Sequence, residues 1–98
     1  MRKYYSDYVK HCTRFYFKTE AMPSPINSKV DYNNYVSVSN VLDKYDKSII
    51  SMLRAIYAHE IFPKGVDEYS AKNGIDRDTI WNIVQKYEQD VARERGLL

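Results

Sequence analysis

Apolar residues recur at three- and four-residue steps along most of this 98-residue chain. That is the spacing of helices that bury one face. From 2 to 18 the stripe is Tyr5, Tyr8, Val9, Cys12 and Phe15 or Tyr16, with basic residues mostly between them. Pro23 and Pro25 then break the pattern, because each pushes its predecessor out of helical geometry. Residues 19 to 30 are therefore expected to be a connector, with Asn27 and Ser28 continuing its turn chemistry. A second helix is expected from Asp31, a good N-cap, through Tyr32, Tyr35, Val36, Val38 or Ser39, Leu42 and Tyr45. Inside it, Tyr35-Val36-Ser37-Val38-Ser39 alternates as a strand would, but the longer pattern favours helix.

Asp46-Lys47-Ser48 reads as a break and a new N-cap. The most apolar segment follows, with Ile49, Ile50, Met52, Leu53, Ile56 and Tyr57, and should form the central core helix. It should end near His59-Glu60, before Phe62-Pro63-Lys64-Gly65. A short helix is predicted over 67–73, stopped by Gly74. Asp76 should cap a last helix that buries Ile80, Ile83 or Val84, Tyr87 and Val91 and runs to about Arg95, before Gly96. The predicted fold is all-α, a single domain over 1–98 with four to five helices. Residues 1–18 form a basic, aromatic amphipathic helix, 19–30 a connector and 31–98 a helical core.

Residues 66 to 85 fit a helix-turn-helix. Two short helices joined by a tight turn leave little room, so each position has a steric demand. Ser70, with Ala71 beside it, supplies the small residue where the helices cross. Gly74 serves the turn, Ile75 tucks beneath it, and Ile80 and Ile83 face the first helix. Pattern alone leaves a DNA-binding bihelix and a plain helical hairpin equally open.

Residues 41 to 98 resemble the C-terminal helix-turn-helix region of bacterial sigma factors and the short phage and mobile-element regulators built on it. The resemblance lies in Val41-Leu42-Asp43-Lys44-Tyr45, the run from Ser48 to Tyr57, and Tyr69-Ser70-Ala71-Lys72-Asn73-Gly74-Ile75. It continues in Thr79-Ile80-Trp81 and the ending Ala92-Arg93-Glu94-Arg95-Gly96-Leu97-Leu98. The whole chain, with its Arg2-Lys3-Tyr4-Tyr5 opening, is also similar to small proteins of Gram-positive prophages and mobile elements. The resemblance implies a DNA-binding transcription regulator whose last helix enters a major groove. The departures are the loop from Ala58 to Lys64 and the acidic entry to the last helix.

Side-chain chemistry nominates the contacts. Arg77, Asn82 and Gln85 can pair with base edges, Lys72 and Lys86 with phosphates, and Thr79 with either. Charge cuts against them. The net charge is +2, but residues 66 to 98 hold five basic against seven acidic side chains. Asp76 and Asp78 sit at the end of the helix that would go deepest. Residues 1 to 18 carry five basic side chains and one acidic, so Arg2, Lys3, Lys10 and Arg14 could supply the missing charge if they pack alongside. Their bland role is the solvated face of an amphipathic helix. Trp81, next to Ile80, is either core or an anchor for a protein partner.

Nothing points to an enzyme. The chain has only three glycines and no phosphate-binding loop, so no cofactor is expected. His11 and Cys12 are adjacent and cannot converge on one metal from one helix face, and His59 is distant in sequence. The single Cys12 fits a reducing compartment. No long apolar run exists and the start turns polar too soon for a signal peptide, so a cytoplasmic protein with no membrane association is expected. Ten tyrosines and small size support an alternative, a protein-binding module such as a phage-encoded inhibitor of host machinery, of anti-CRISPR or polymerase-binding type. DNA and a host protein are thus the two partner classes. A homodimer is a third reading, since such bihelices often pair across a two-fold axis.

Overall fold

The computed structural model describes residues 3 to 98. Among these, five helices and no strand are found: α1 (Ser6–Ala21), α2 (Lys29–Leu42), α3 (Lys47–Ala58), α4 (Phe62–Asn73) and α5 (Arg77–Glu94). The Cα radius of gyration, 13.1 Å, is that of one compact domain of this length.

α1 runs three residues past its expected end, and Met22, just before Pro23, has left helical geometry (φ −136, ψ 80). Its core face is Tyr5, Val9 and Cys12, as the stripe predicts, joined by Ser6 and Thr13. α2 starts at Lys29, two residues earlier than expected. Ser28, rather than Asp31, is the N-cap: its Oγ accepts the Asp31 amide at 3.3 Å. The earlier start goes with a different buried face, made of Asn34, Ser37, Val38, Val41 and Leu42. Tyr32 is left exposed, Tyr35 stacks on Tyr16, and Tyr45 lies beyond the helix end. The alternating segment 35–39 is helical. The two polar residues on the buried face of α2 are satisfied: Tyr8 of α1 donates to Asn34 Oδ1 and Ser37 to the Asn33 carbonyl, each at 2.8 Å.

Asp46 caps α3 as expected, accepting the Ile49 amide at 3.0 Å and the Ser48 hydroxyl at 2.7 Å. α4 departs most from the sequence reading. Pro63 and Gly65 lie in its first turn rather than before it. Proline suits that position because its missing N–H would be unpartnered there anyway. Gly65 is a packing residue. A Cβ there would stand 2.9 Å from both the His59 Cβ and the Ile56 carbonyl oxygen. Phe62 and Val66 are thereby buried against α3, which lengthens α4 by five residues over its predicted start.

The α4–α5 turn is closed by Gly74 at φ 66, whose amide bonds the Ser70 carbonyl at 2.9 Å. The Ser70 hydroxyl also donates to the Ile75 carbonyl. Asp76 occupies the N-cap position of α5, but its carboxylate makes no capping bond. Ile80, Val84, Tyr87 and Val91 are buried as predicted, with Glu88 and Ala92 added, while Ile83 is only half-buried. At the far end Gly96 (φ 75) and Leu97 bond back to the Arg93 and Ala92 carbonyls.

α1 packs on α2, α3 and α5, and α4 on α3 and α5. Where α1, α3 and α5 meet, Glu88 accepts from Ser6 Oγ at 3.1 Å and from Tyr57 at 3.3 Å. Thr13 Oγ1 donates to the Val9 carbonyl at 2.8 Å, so the 2.7 Å bond between Thr13 and Tyr87 has Tyr87 as donor.

The two glycines fail differently when changed. Gly65→Ala should lower stability by about 1–3 kcal/mol through overpacking against backbone. Gly74→Ala should cost about 1–2 kcal/mol through strain alone. Asparagine should recover much of the loss at Gly74, where it tolerates the left-handed geometry, and none at Gly65. Urea denaturation of the four variants checks this; a neutral Gly65→Ala would show that α4 does not approach α3 closely.

Candidate nucleic-acid interface

The α4–α5 pair holds the residues nominated for DNA. With Ile80, Val84 and Tyr87 turned into the core, α5 exposes Arg77, Asp78, Thr79, Asn82, Gln85 and Lys86. Lys72 is exposed in the last turn of α4. Trp81 is half-buried, its ring 5.6 Å from that of Phe62, so it ties α5 to the start of α4.

Arg77, Lys86 and Arg93 are paired. Arg77 Nε meets Asp67 Oδ1, and Lys86 Nζ meets Asp90 Oδ2 at 3.1 Å. Arg93 lies 3.6 Å from the same Asp90 carboxylate, and Tyr45 donates to it at 2.7 Å. Lys86 also rests over the Tyr45 ring, 5.4 Å from its centroid. The Arg77, Lys86 and Arg93 side chains are each more than half exposed. Such surface pairs contribute only about 0–1 kcal/mol each, so a phosphate or base could replace the carboxylate at small cost.

Burial alone would raise the Asp90 carboxyl, but the Tyr45 hydroxyl, Lys86 and Arg93 outweigh it and hold it below its ordinary 3.8. Burial, reinforced by the bond to Asp90, pushes the Tyr45 phenol up, so it stays protonated and able to donate.

The basic residues of the first helix are placed elsewhere. Arg2 lies outside the described residues. Tyr4, beside the exposed Lys3, donates to the Leu97 carbonyl at the C-terminal end of α5. α1 bonds α5 at Tyr87 and Glu88, ten and eleven residues from Arg77. At 1.5 Å per residue that is about 15 Å along the helix. Lys10, Arg14 and Lys18 line a shallow groove whose other walls, Asp7, His11 and Phe15, also belong to α1.

Arg14 has a further task. Its Nε donates to the Tyr57 carbonyl at 2.9 Å, and one Nη to the carbonyls of His59 and Glu60. The last carbonyls of α3 have no partner within the helix and carry its negative dipole end, so a guanidinium satisfies both demands. His59, at that cap, reaches Glu68 of α4 at 3.3 Å.

The sequence reading missed this clamp and the polar core of Ser6, Thr13 and Glu88. A signal existed for the second: Glu88 lies on the same α5 stripe as Val84 and Val91, and Ser6 and Thr13 flank the stripe of α1. Cys12 is fully buried, and burial pushes its thiol up, away from the thiolate form that reactivity requires. Among the described residues, no group of three or more His, Cys, Asp or Glu is gathered as a metal would need, and no helix is long and apolar enough to cross a membrane.

Comparison with protein-family models, characterised proteins and solved structures gave no match to this chain.

Arg14→Ala should destabilise the protein by about 1.5–3 kcal/mol, the range for hydrogen bonds to a charged group. Arg14→Lys should restore only part, since one ammonium cannot reach three carbonyls in that fork. Thermal melts of both variants decide it, and an Arg14→Ala melt unchanged from the parent would remove the clamp. For Asp90, the folded protein takes up its proton at lower pH than the unfolded chain does. Its stabilisation is complete above about pH 4 and is lost as pH falls through the depressed folded value. Urea midpoints measured across that acid range should fall less steeply in Asp90→Asn than in the parent.

Proposed function

We propose that this chain is a non-enzymatic helix-turn-helix protein that binds DNA through the exposed face of α5, as a transcription regulator of phage or mobile-element type. The observation that carries the proposal is the α4–α5 pair: a three-residue turn, closed through Gly74 and Ser70, seats α5 so that Arg77, Thr79, Asn82 and Gln85 all face outward. A guanidinium and two carboxamides are the groups that pair bidentately with guanine and adenine in a major groove. The resemblance of residues 41 to 98 to the sigma-factor C-terminal region supports the same reading.

The charge arrangement sets its strength. Lys72 and Lys86 are the side chains best placed for phosphates, and Asp76 and Asp78 oppose them. Few neutralised phosphates mean modest affinity and a shallow salt dependence, with a log–log slope of about −2. A second reading, an inhibitor that binds a host protein through this surface, is favoured by the ion pairs that already neutralise Arg77 and Lys86.

The test begins with selection of duplexes from a randomised pool, followed by fluorescence polarisation at two salt concentrations. Arg77→Ala and Asn82→Ala should each weaken binding to the selected duplex by about 1–3 kcal/mol. Asp78→Asn should tighten it by removing a repulsion. No binding at low salt, or binding indifferent to Arg77 and Asn82, would overturn the proposal and leave the inhibitor reading.

A further inference from the structure

A second surface lies between α1 and α3, and no residue of α5 lines it. It is a groove of about 520 Å³. Its apolar part is made by Phe17 and Ala21 of α1 and by Ala58 of α3, with the buried Tyr57 beneath them. Two alanines facing each other near the helix ends explain the depression, since neither side chain can fill the gap. Cations surround it. Arg54 lies 5.4 Å above the Phe17 ring, Lys18 is exposed on the opposite wall, and Arg14 bridges the helices at one end. Glu60 is the one acid in the lining. Arg14 and Lys18 also line the neighbouring groove along α1 with Lys10 and His11, so the basic strip continues past this site.

We propose that this groove docks an acidic amphipathic helix of a partner protein. An apolar side chain enters beside Phe17 and over Ala21 and Ala58, and flanking carboxylates meet Lys18 and Arg54. The volume suits this occupant, because 300–1,000 Å³ is the scale of cavities that enclose a compact apolar group. Charge complementarity selects its sign, and an apolar floor inside a charged rim is the usual anatomy of a helix-binding groove. Nucleic acid fits less well. Arg14 is committed to three carbonyls, which leaves Lys18 and Arg54 as the cations free to turn toward phosphates beside an apolar floor. The proposal does not depend on the α5 surface binding DNA.

The probe is a synthetic helical peptide with Phe and Leu four residues apart and Glu on both flanks, titrated into the ¹⁵N-labelled full chain. Shifts should concentrate at Phe17, Lys18, Ala21, Arg54 and Ala58. Lys18→Glu and Arg54→Glu should each weaken binding about tenfold, with the helical circular dichroism of the parent retained. A peptide with Ser in place of Phe and Leu should cause no shift. Three results would overturn the proposal: no shift with the probe, shifts at these residues on raising protein concentration alone (a second copy fills the groove), or equal shifts with duplex DNA.

Discussion

A carboxylate in the core organises this fold. Glu88 is only 4% exposed, and a carboxyl group so placed needs hydrogen-bond partners in place of water. Ser6 from α1 and Tyr57 from α3 both donate to it, and the adjacent Tyr87 donates to Thr13 of α1. Three helices distant in sequence are therefore held in one register by directional bonds, where apolar packing alone would allow them to slide. The Tyr57 ring packs on both Phe62 and Tyr87, so the start of α4 is tied to the same junction. Arg14 adds a second fastening between α1 and the end of α3.

The position of α1 follows from those bonds, and it decides how charge is distributed. The N-terminal end of α1 sits against the C-terminal half of α5, while its C-terminal half lies along α3. The cations of α1 border grooves of their own, and the outward face of α5 works with the few cations of its own bihelix. Two surfaces of different character result. One is polar, carries hydrogen-bonding side chains and has a carboxylate beside Arg77, Lys86 and Arg93. The other is apolar at the floor and basic at the rim.

Much of the fold was legible because helical periodicity and capping chemistry are local. Asp46 announces α3, Gly74 ends α4, and the stripe through Ile80, Val84, Tyr87 and Val91 defines the buried face of α5. What stayed hidden depends on tertiary contact. Gly65 reads as a helix breaker until α3 is seen pressed against it. Asn34, off the apolar stripe of α2, is buried with a partner on another helix, Tyr8 of α1. The outward residues of α5 were identifiable from the same periodicity. The ion pair of Arg77 with Asp67 and the diversion of Arg14 to the α3 carbonyls were not, since both partners lie on other helices.

In the proposed DNA-binding role of α5, the buried junction keeps α1 out of the contact. Amide-resolved NMR of the ¹⁵N-labelled chain with a selected duplex tests it directly. Perturbations confined to Lys72 and residues 77 to 86, with Lys10, Arg14 and Lys18 unmoved, are the predicted result. Perturbations of Lys10, Arg14 and Lys18 together with residues 77 to 86 would contradict it.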